Sequence, residues 1–323
     1  MNLTDRVPVI LTAFMLDIIL GDPHWLPHPV RWIGRAVHFI ERVLRKTGLP
    51  LRLSAVLLTF IVVSATLALS LSAILLAYRF SDPAGFIISV IIMYTTLSTR
   101  SLYDESMKVY TDLRNNNLIA ARNNLSMIVG RDTDHLDSGE VIRGAVETIA
   151  ENTVDGVISP LFYAMIGGPA LAIAYKAINT LDSMVGYKNE KYIDLGWASA
   201  RLDDLANYIP ARISGFLIPI AAMLCGRGGK GLRNSLRTVL HDRKNHPSPN
   251  SGIPEAAVAG TLGVQLGGVN YYQGVPSSRP FIGELRHDFS EGHITGANRI
   301  MIVSSILMLL IGSIILLVLS AIT

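Results

Sequence analysis

Apolar residues in this chain gather in long uncharged runs instead of alternating with polar ones. Leu53 to Tyr78 and Ile300 to Thr323 contain no charged residue, and each is longer than the roughly 20 residues a helix needs to cross the hydrocarbon layer. Both predict spanning helices. Val7 to Gly21 is shorter, contains Asp17, and ends at Gly21-Asp22-Pro23, where a helix must stop. Ser81-Asp82-Pro83 predicts a tight turn, after which Ala84 to Thr99 returns as a short apolar segment.

The centre of the chain is apolar but interrupted. Gly156 to Tyr175 is broken by Pro160 and Gly167-Gly168-Pro169, and Leu205 to Cys225 contains Pro210, Arg212 and Pro219. Ala256 to Ser278 is uncharged but rich in glycine. Broken backbone at membrane depth is tolerated only where protein buries it or it lines a cavity. The pattern predicts an all-α, polytopic transmembrane protein with broken or re-entrant helices and cytoplasmic helical loops, forming one integral membrane domain over 1–323.

Two polar regions complete the layout. Residues 100–155 carry ten acids and six basic residues, and the spacing of Leu118, Ala121, Leu125 and Ile128 predicts helices in a polar insertion facing the cytoplasm. Arg31, Arg35, Arg42 and Arg45 recur at helical spacing among apolar residues, as in an amphipathic helix at an anionic bilayer surface. Residues 226–250 form a second basic, cytoplasmic loop.

Composition sharpens this reading. Hydrophobic residues make up 50% of the 323 and charged residues only 16%, which excludes a disordered chain and fits a soluble globular protein poorly. Net charge is +3, but the basic residues cluster beside apolar runs, as positive-inside topology requires and nucleic-acid binding does not. A single cysteine, Cys225, excludes an intrachain disulfide framework. The N-terminal segment has no small-residue cleavage site, so a removable signal peptide is not expected.

Four polar clusters are denser than lipid anchoring requires. In the first, Gly21 to Arg31, prolines surround Asp22, His24 and His28: either an interfacial turn anchored by Trp25, or a preorganised ligand or Mg²⁺ site. In the second, Glu147, Glu151 and Asp155 recur at i+4 on one helix face, where like charges repel. They are either a solvated acidic face or a hard-cation site. The third holds Asn179, Asp182, Lys188, Lys191, Arg201 and the pair Asp203-Asp204. Its lysines either clamp phosphate or are ordinary interfacial charges. The fourth, His246 to Glu255, sets short polar groups on a proline-stiffened turn. Gly226 to Gly231 lacks the spacing and the Ser/Thr of a Walker A loop, and no HExxH helix is present.

Read in order, GDPHWLPHPVRWIG (21–34), ENTVDGVISPLFYAMIGG (151–168), NTLDSMVGYKNEKY (179–192), ASARLDDLANYIPAR (198–212) and HPSPNSGIPEAAVAGTLGVQLGG (246–268) resemble the adenosylcobinamide-phosphate synthase family. The resemblance covers most of the chain from Asp17 to about Gly296. It implies an enzyme of the cytoplasmic (inner) membrane, beside other late enzymes of cobalamin biosynthesis. That enzyme links aminopropanol, or its O-phosphate, to the free carboxylate of adenosylcobyric acid at the expense of ATP with Mg²⁺. A membrane regulator of beta-lactamase induction is distantly similar and supplies a non-enzymatic alternative. An ion-coupled transporter is the alternative from composition, since broken helices with nearby acids suit such carriers.

For amide formation the carboxylate must be activated and the amine must be neutral. Side-chain chemistry then suggests Glu151, Asp155 and Asp182 as Mg²⁺ ligands, and Lys188, Lys191 and Arg201 as phosphate contacts. Asn152, Asn179, Asn207 and Asn250 suit the corrinoid amides. His28 or His246 is expected to deprotonate or orient the amine, and Asp203 and Asp204 are further catalytic candidates, in reserve for the Mg²⁺ shell.

Overall fold

The computed structural model describes residues 3–23, 28–187 and 189–322. In chain order the helices are α1 (Leu3–Leu20), α2 (Pro29–Lys46), α3 (Leu51–Phe80), α4 (Asp82–Tyr94), α5 (Thr99–Arg114), α6 (Leu118–Ser126), α7 (Ser138–Thr153), α8 (Ser159–Val185), α9 (Trp197–Ala206), α10 (Tyr208–Ala222), α11 (Gly228–Asp242) and α12 (Gly252–Leu262). The strands β1 (Leu266–Tyr272) and β2 (Val275–Ile282) follow, and then α13 (Gly292–Ile322). Among the described residues, five helical segments are long and apolar enough to cross a membrane: Leu51–Phe80, Asp82–Arg114, Ser138–Val185, Tyr208–Asn245 and Gly292–Ile322. The protein is a multi-pass membrane protein.

The chain divides into two compact units. Unit 1 comprises Met1–Ser98, Asp155–Asn207 and Leu309–Thr323; unit 2 comprises Thr99–Val154 and Tyr208–Met308. In unit 1, α3 packs against α2, α4 and α8, and Ile33, Val37, Leu58, Val62, Ile173 and Leu181 fill the seam. The 30 residues of α3 extend about 45 Å at 1.5 Å per residue. Phe60, Leu69 and Leu76 on it are 66%, 72% and 65% exposed. An apolar helix with so little of its surface covered by protein is one solvated by lipid tails.

The predicted interruption of α8 is present. Val154–Ile158 is π-helical, Pro160 enters the first turn of α8, and Gly168 breaks the helix at φ 71°, ψ −169°. That backbone region is open only to glycine. Since α geometry ends at Thr153, Asp155 leaves the i+4 register expected of Glu147, Glu151 and Asp155.

Unit 2 surrounds α12, whose every residue is buried. It packs against α7, α10 and α11. At Gly260 an added Cβ would stand 2.7 Å from the Asn234 carbonyl, so only glycine permits this approach of α12 to α11. A capping box starts α7: the Asp137 carboxylate accepts from Glu140 N–H and the Glu140 carboxylate from Asp137 N–H. The helices α5, α6 and α7 also belong to unit 2, and α6 buries Ala121 and Leu125.

The glycine-rich stretch Ala256–Ser278 departs from the all-α expectation. It finishes α12 at Gly263, in the left-handed conformation, and continues into an antiparallel hairpin pairing Tyr272 with Val275 and Gly268 with Arg279. Gln273 and Gly274 both have positive φ, which makes the two-residue turn type I′. The Asp132 carboxylate accepts from both of their amides, at 3.1 and 2.7 Å.

Candidate functional site

In unit 2 the polar centre grows out of α7. Glu147 is 2% exposed, because its helix turns the residue into the core and not toward water. Its carboxylate accepts from Arg131, from Arg279 at 2.8 Å and from the Gly267 amide at 2.8 Å, with Arg143 at 3.6 Å. Arg279 comes from β2, so the hairpin delivers a guanidinium to the glutamate. A buried charge survives only when paired and hydrogen-bonded, and here Arg131, Arg143 and Arg279 supply the cations around Glu147.

Glu255, on the buried helix α12, stands 3.3 Å from Arg279 and 3.5 Å from His246 Nε2. Burial, and then the neighbouring Glu147, push its carboxyl well above the usual range. Arg279 is held more firmly protonated by Glu255 and Glu147, against the opposing effect of burial. His246 Nδ1 accepts the Ser248 amide at 2.9 Å, so the neutral ring carries its proton on Nε2, toward Glu255. Glu151 accepts from Ser251 Oγ at 2.9 Å. Glu147, Glu151, Asn152, His246, Glu255 and Arg279 all line one cavity of about 260 Å³.

A second polar centre lies in unit 1. Asn179 Nδ2 donates to Asp155 at 3.2 Å, and Asn207 Nδ2 to Asp203 at 3.0 Å. The Asn207 carbonyl accepts from Ser159 and Tyr175. Burial first, then Asp182 and Asp204, push the Asp203 carboxyl up to about 7. Lys176 is the basic residue here, interacting with Asp155, Asp22, Asp17 and Asp203. His28 caps α2 by accepting the Val30 amide at its Nδ1, and its Nε2 stands 3.3 Å from Asp22. His28 and His246 thus share one arrangement. Each precedes a proline, which has no N–H, so the ring reaches the next amide and turns Nε2 to a carboxylate.

The predicted residues therefore fall into two groups. Asp155, Asn179, Asp182, Asp203, Asp204 and His28 belong to unit 1, and Glu151, Asn152, His246 and Asn250 to unit 2. Lys191 and Arg201 are exposed, and the Lys191 ammonium stands 4.6 Å from the Tyr192 ring centre. Lys188 lies outside the described residues. Asn152 donates to Thr148 O on its own helix, and Asn250 accepts from Arg212 at 3.1 Å. Arg131 and Arg279, absent from the sequence-based set, lie far from Glu147 along the chain, and no local pattern marks them.

Among the described residues, no three His, Cys, Asp or Glu side chains form a ready-made metal cage. In unit 1 Asp182 and Asp203 interact electrostatically; Mg²⁺ is usually held by one or two carboxylates, with waters and substrate phosphates completing its shell.

A family model described as CobD/Cbib protein matches residues 10–301. The cobalamin biosynthesis protein CobD of Geobacter metallireducens is 49% identical over 312 residues, covering 97% of each chain. CbiB of Salmonella typhimurium is 47% identical over 300 residues, 92% of this chain and 93% of the relative. CobD of Leptospira interrogans serovar Lai is 43% identical over 298 residues, 92% and 94%. No solved structure matches. With nine-tenths of its length aligned to these relatives, the chain belongs to the CobD/CbiB family of cobalamin-biosynthesis membrane proteins.

Proposed function

We propose that this protein forms an amide between aminopropanol, or its O-phosphate, and the free carboxylate of adenosylcobyric acid, with ATP supplying the driving force. Family membership supports the amide-forming class. The observation that carries the chemistry is the cavity where Glu255, His246 and Arg279 meet. A carboxylate oxygen attacks the terminal phosphorus of ATP, the bond to ADP breaks, and an acyl phosphate results. The amine nitrogen then attacks the acyl carbon, the bond to phosphate breaks, and the amine gives up a proton.

Glu255, in its ionised form, is the proposed acceptor of that proton. Burial raises its proton affinity, which makes it a stronger base than an exposed glutamate. His246 orients it, since Nδ1 is committed to the Ser248 amide. Arg131 and Arg279 stabilise negative charge developing on the acyl oxygen. Glu151, which lines this cavity, is the proposed Mg²⁺ carboxylate here, and Asp155 and Asp182 are proposed as Mg²⁺ carboxylates of the centre in unit 1. When bound, the ion neutralises phosphoryl charge. Asn179 holds Asp155 in place through its amide. Lys191 and Arg201, being exposed, suit first capture of an anionic substrate.

The test is to supply detergent-solubilised protein with adenosylcobyric acid, ATP, Mg²⁺ and each amine in turn. A corrinoid heavier by the amine less one water is the expected mass-spectrometric product. No amide with either amine would refute the proposal.

A further inference from the structure

A second cavity in unit 2, of about 460 Å³, is lined by Tyr208, Arg212, Arg243, Lys244, His246 and the prolines of the turn that follows. Its volume is that of a small-molecule site. Three cations and an imidazole line it, and among the described residues no carboxylate does. Among the described residues Arg212, Arg243 and Lys244 make no ion pair, and the adjacent acid Asp242 is committed to the Gly283 amide at 2.8 Å. Concentrating like charges around one space is unfavourable unless an anion enters it.

The cavity is also preorganised. Arg212 Nη1 donates to Tyr208 O at 2.7 Å and to the buried Asn250 at 3.1 Å, and its guanidinium carbon lies 3.3 Å from the Tyr208 ring centre. Nε and Nη2 have no acceptor among the described residues, which leaves one edge of a fixed guanidinium for a ligand. A planar fork of that kind matches two oxygens of a phosphate. Pro247 and Pro249 stiffen the turn that lines the cavity. His246 lines both this cavity and that of Glu147 and Glu255.

We infer that Arg212, Arg243 and Lys244 form a phosphoryl-binding subsite beside the proposed amide-forming cavity, an inference that rests on that reading for its role. The ligand chemistry is a phosphate dianion, carried either by the nucleotide or by the phosphorylated amine. The basic loop, read from sequence as a topology signal, acquires a binding task.

The test measures binding of two probes to the full chain in detergent by calorimetry: a non-hydrolysable ATP analogue with Mg²⁺, and aminopropanol O-phosphate. Arg243→Gln/Lys244→Gln alters two exposed side chains, and Lys230→Gln/Arg233→Gln removes the same charge elsewhere. Charge-assisted hydrogen bonds of ordinary strength predict that the first pair weakens one probe by about 10- to 100-fold. The other probe and the control pair should be unaffected, and the probe that weakens identifies the source of the phosphate. Unchanged binding of both, equal weakening by the control pair, or no binding to the wild type would overturn the subsite. Amide formation from unphosphorylated aminopropanol, measured separately, reports on the function: a subsite without product refutes only the function, and product without a subsite refutes only this inference.

Discussion

Arg279 Nη2 stands 2.8 Å from Glu147 Oε1, an ion pair joining β2 to α7 in a part of unit 2 where the glutamate is almost fully enclosed. Replacing Glu147 with Gln keeps an acceptor for the Gly267 amide but leaves Arg131, Arg143 and Arg279 without their shared anion. Breaking a buried pair from one side costs about 3–5 kcal/mol. Thermal unfolding in detergent should show a large fall in midpoint, and an unchanged midpoint would remove the pair from the stability of unit 2.

Glu255 and His246 divide the proton work. Glu255→Gln should lower kcat by about 10²–10⁴-fold, the usual range for a lost general base. His246→Gln should lower kcat less, because it removes only the group that orients Glu255. Steady-state kinetics on both variants check the order, and an equal or greater loss at His246 would exchange the two roles.

Asp203 makes stability depend on pH. Its folded-state value of about 7 lies above the ordinary 3.8, so the folded protein binds the proton more tightly than the unfolded chain. That contribution is complete below the ordinary value and fades as pH rises through about 7. The wild type should therefore gain stability relative to Asp203→Asn as pH falls from 8 to 5.5. Unfolding midpoints whose difference is the same at both pH values would contradict the shift.

Alanine at Glu151, Asp155 or Asp182 should nearly abolish turnover while leaving the protein inserted in membrane. Chelating divalent cations should stop the wild-type reaction, and returned Mg²⁺ should restore it. Full activity in all three variants would discard the metal proposal.

Gly168→Ala tests the break in α8. Holding a side chain at φ 71°, ψ −169° costs on the order of 1–3 kcal/mol. The unfolding midpoint should fall accordingly, and an unchanged midpoint would show that the helix straightens at no cost.

The spans at Leu53–Tyr78 and Ile300–Thr323 are legible because nothing but an apolar solvent suits their uncharged length. The break in α8 is legible because glycine and proline act locally. Asn179, Asp182 and Asp203 stand out as polar residues close to apolar runs. The hairpin is hidden: its turn is Gln273-Gly274, without the Asn or Asp that marks type I′, and Asp132 holds it from a distant loop. Arg131 and Arg279 are hidden for the same reason, since only tertiary folding brings them to Glu147. The acids of 147–155 suggested a bound cation, and at Glu147 the cations are arginines of the chain itself.

The prolines of β2 guard the molecule against its own copies. In a two-residue hairpin Tyr272 and Val275 bond to each other, so the amide positions of Pro276 and Ser278 face away from β1, and Pro280 follows where the register shifts. Two of these three positions have no hydrogen to donate. A strand arriving from another molecule would find one amide where it needs three, and edge-to-edge polymerisation is blocked at its first step.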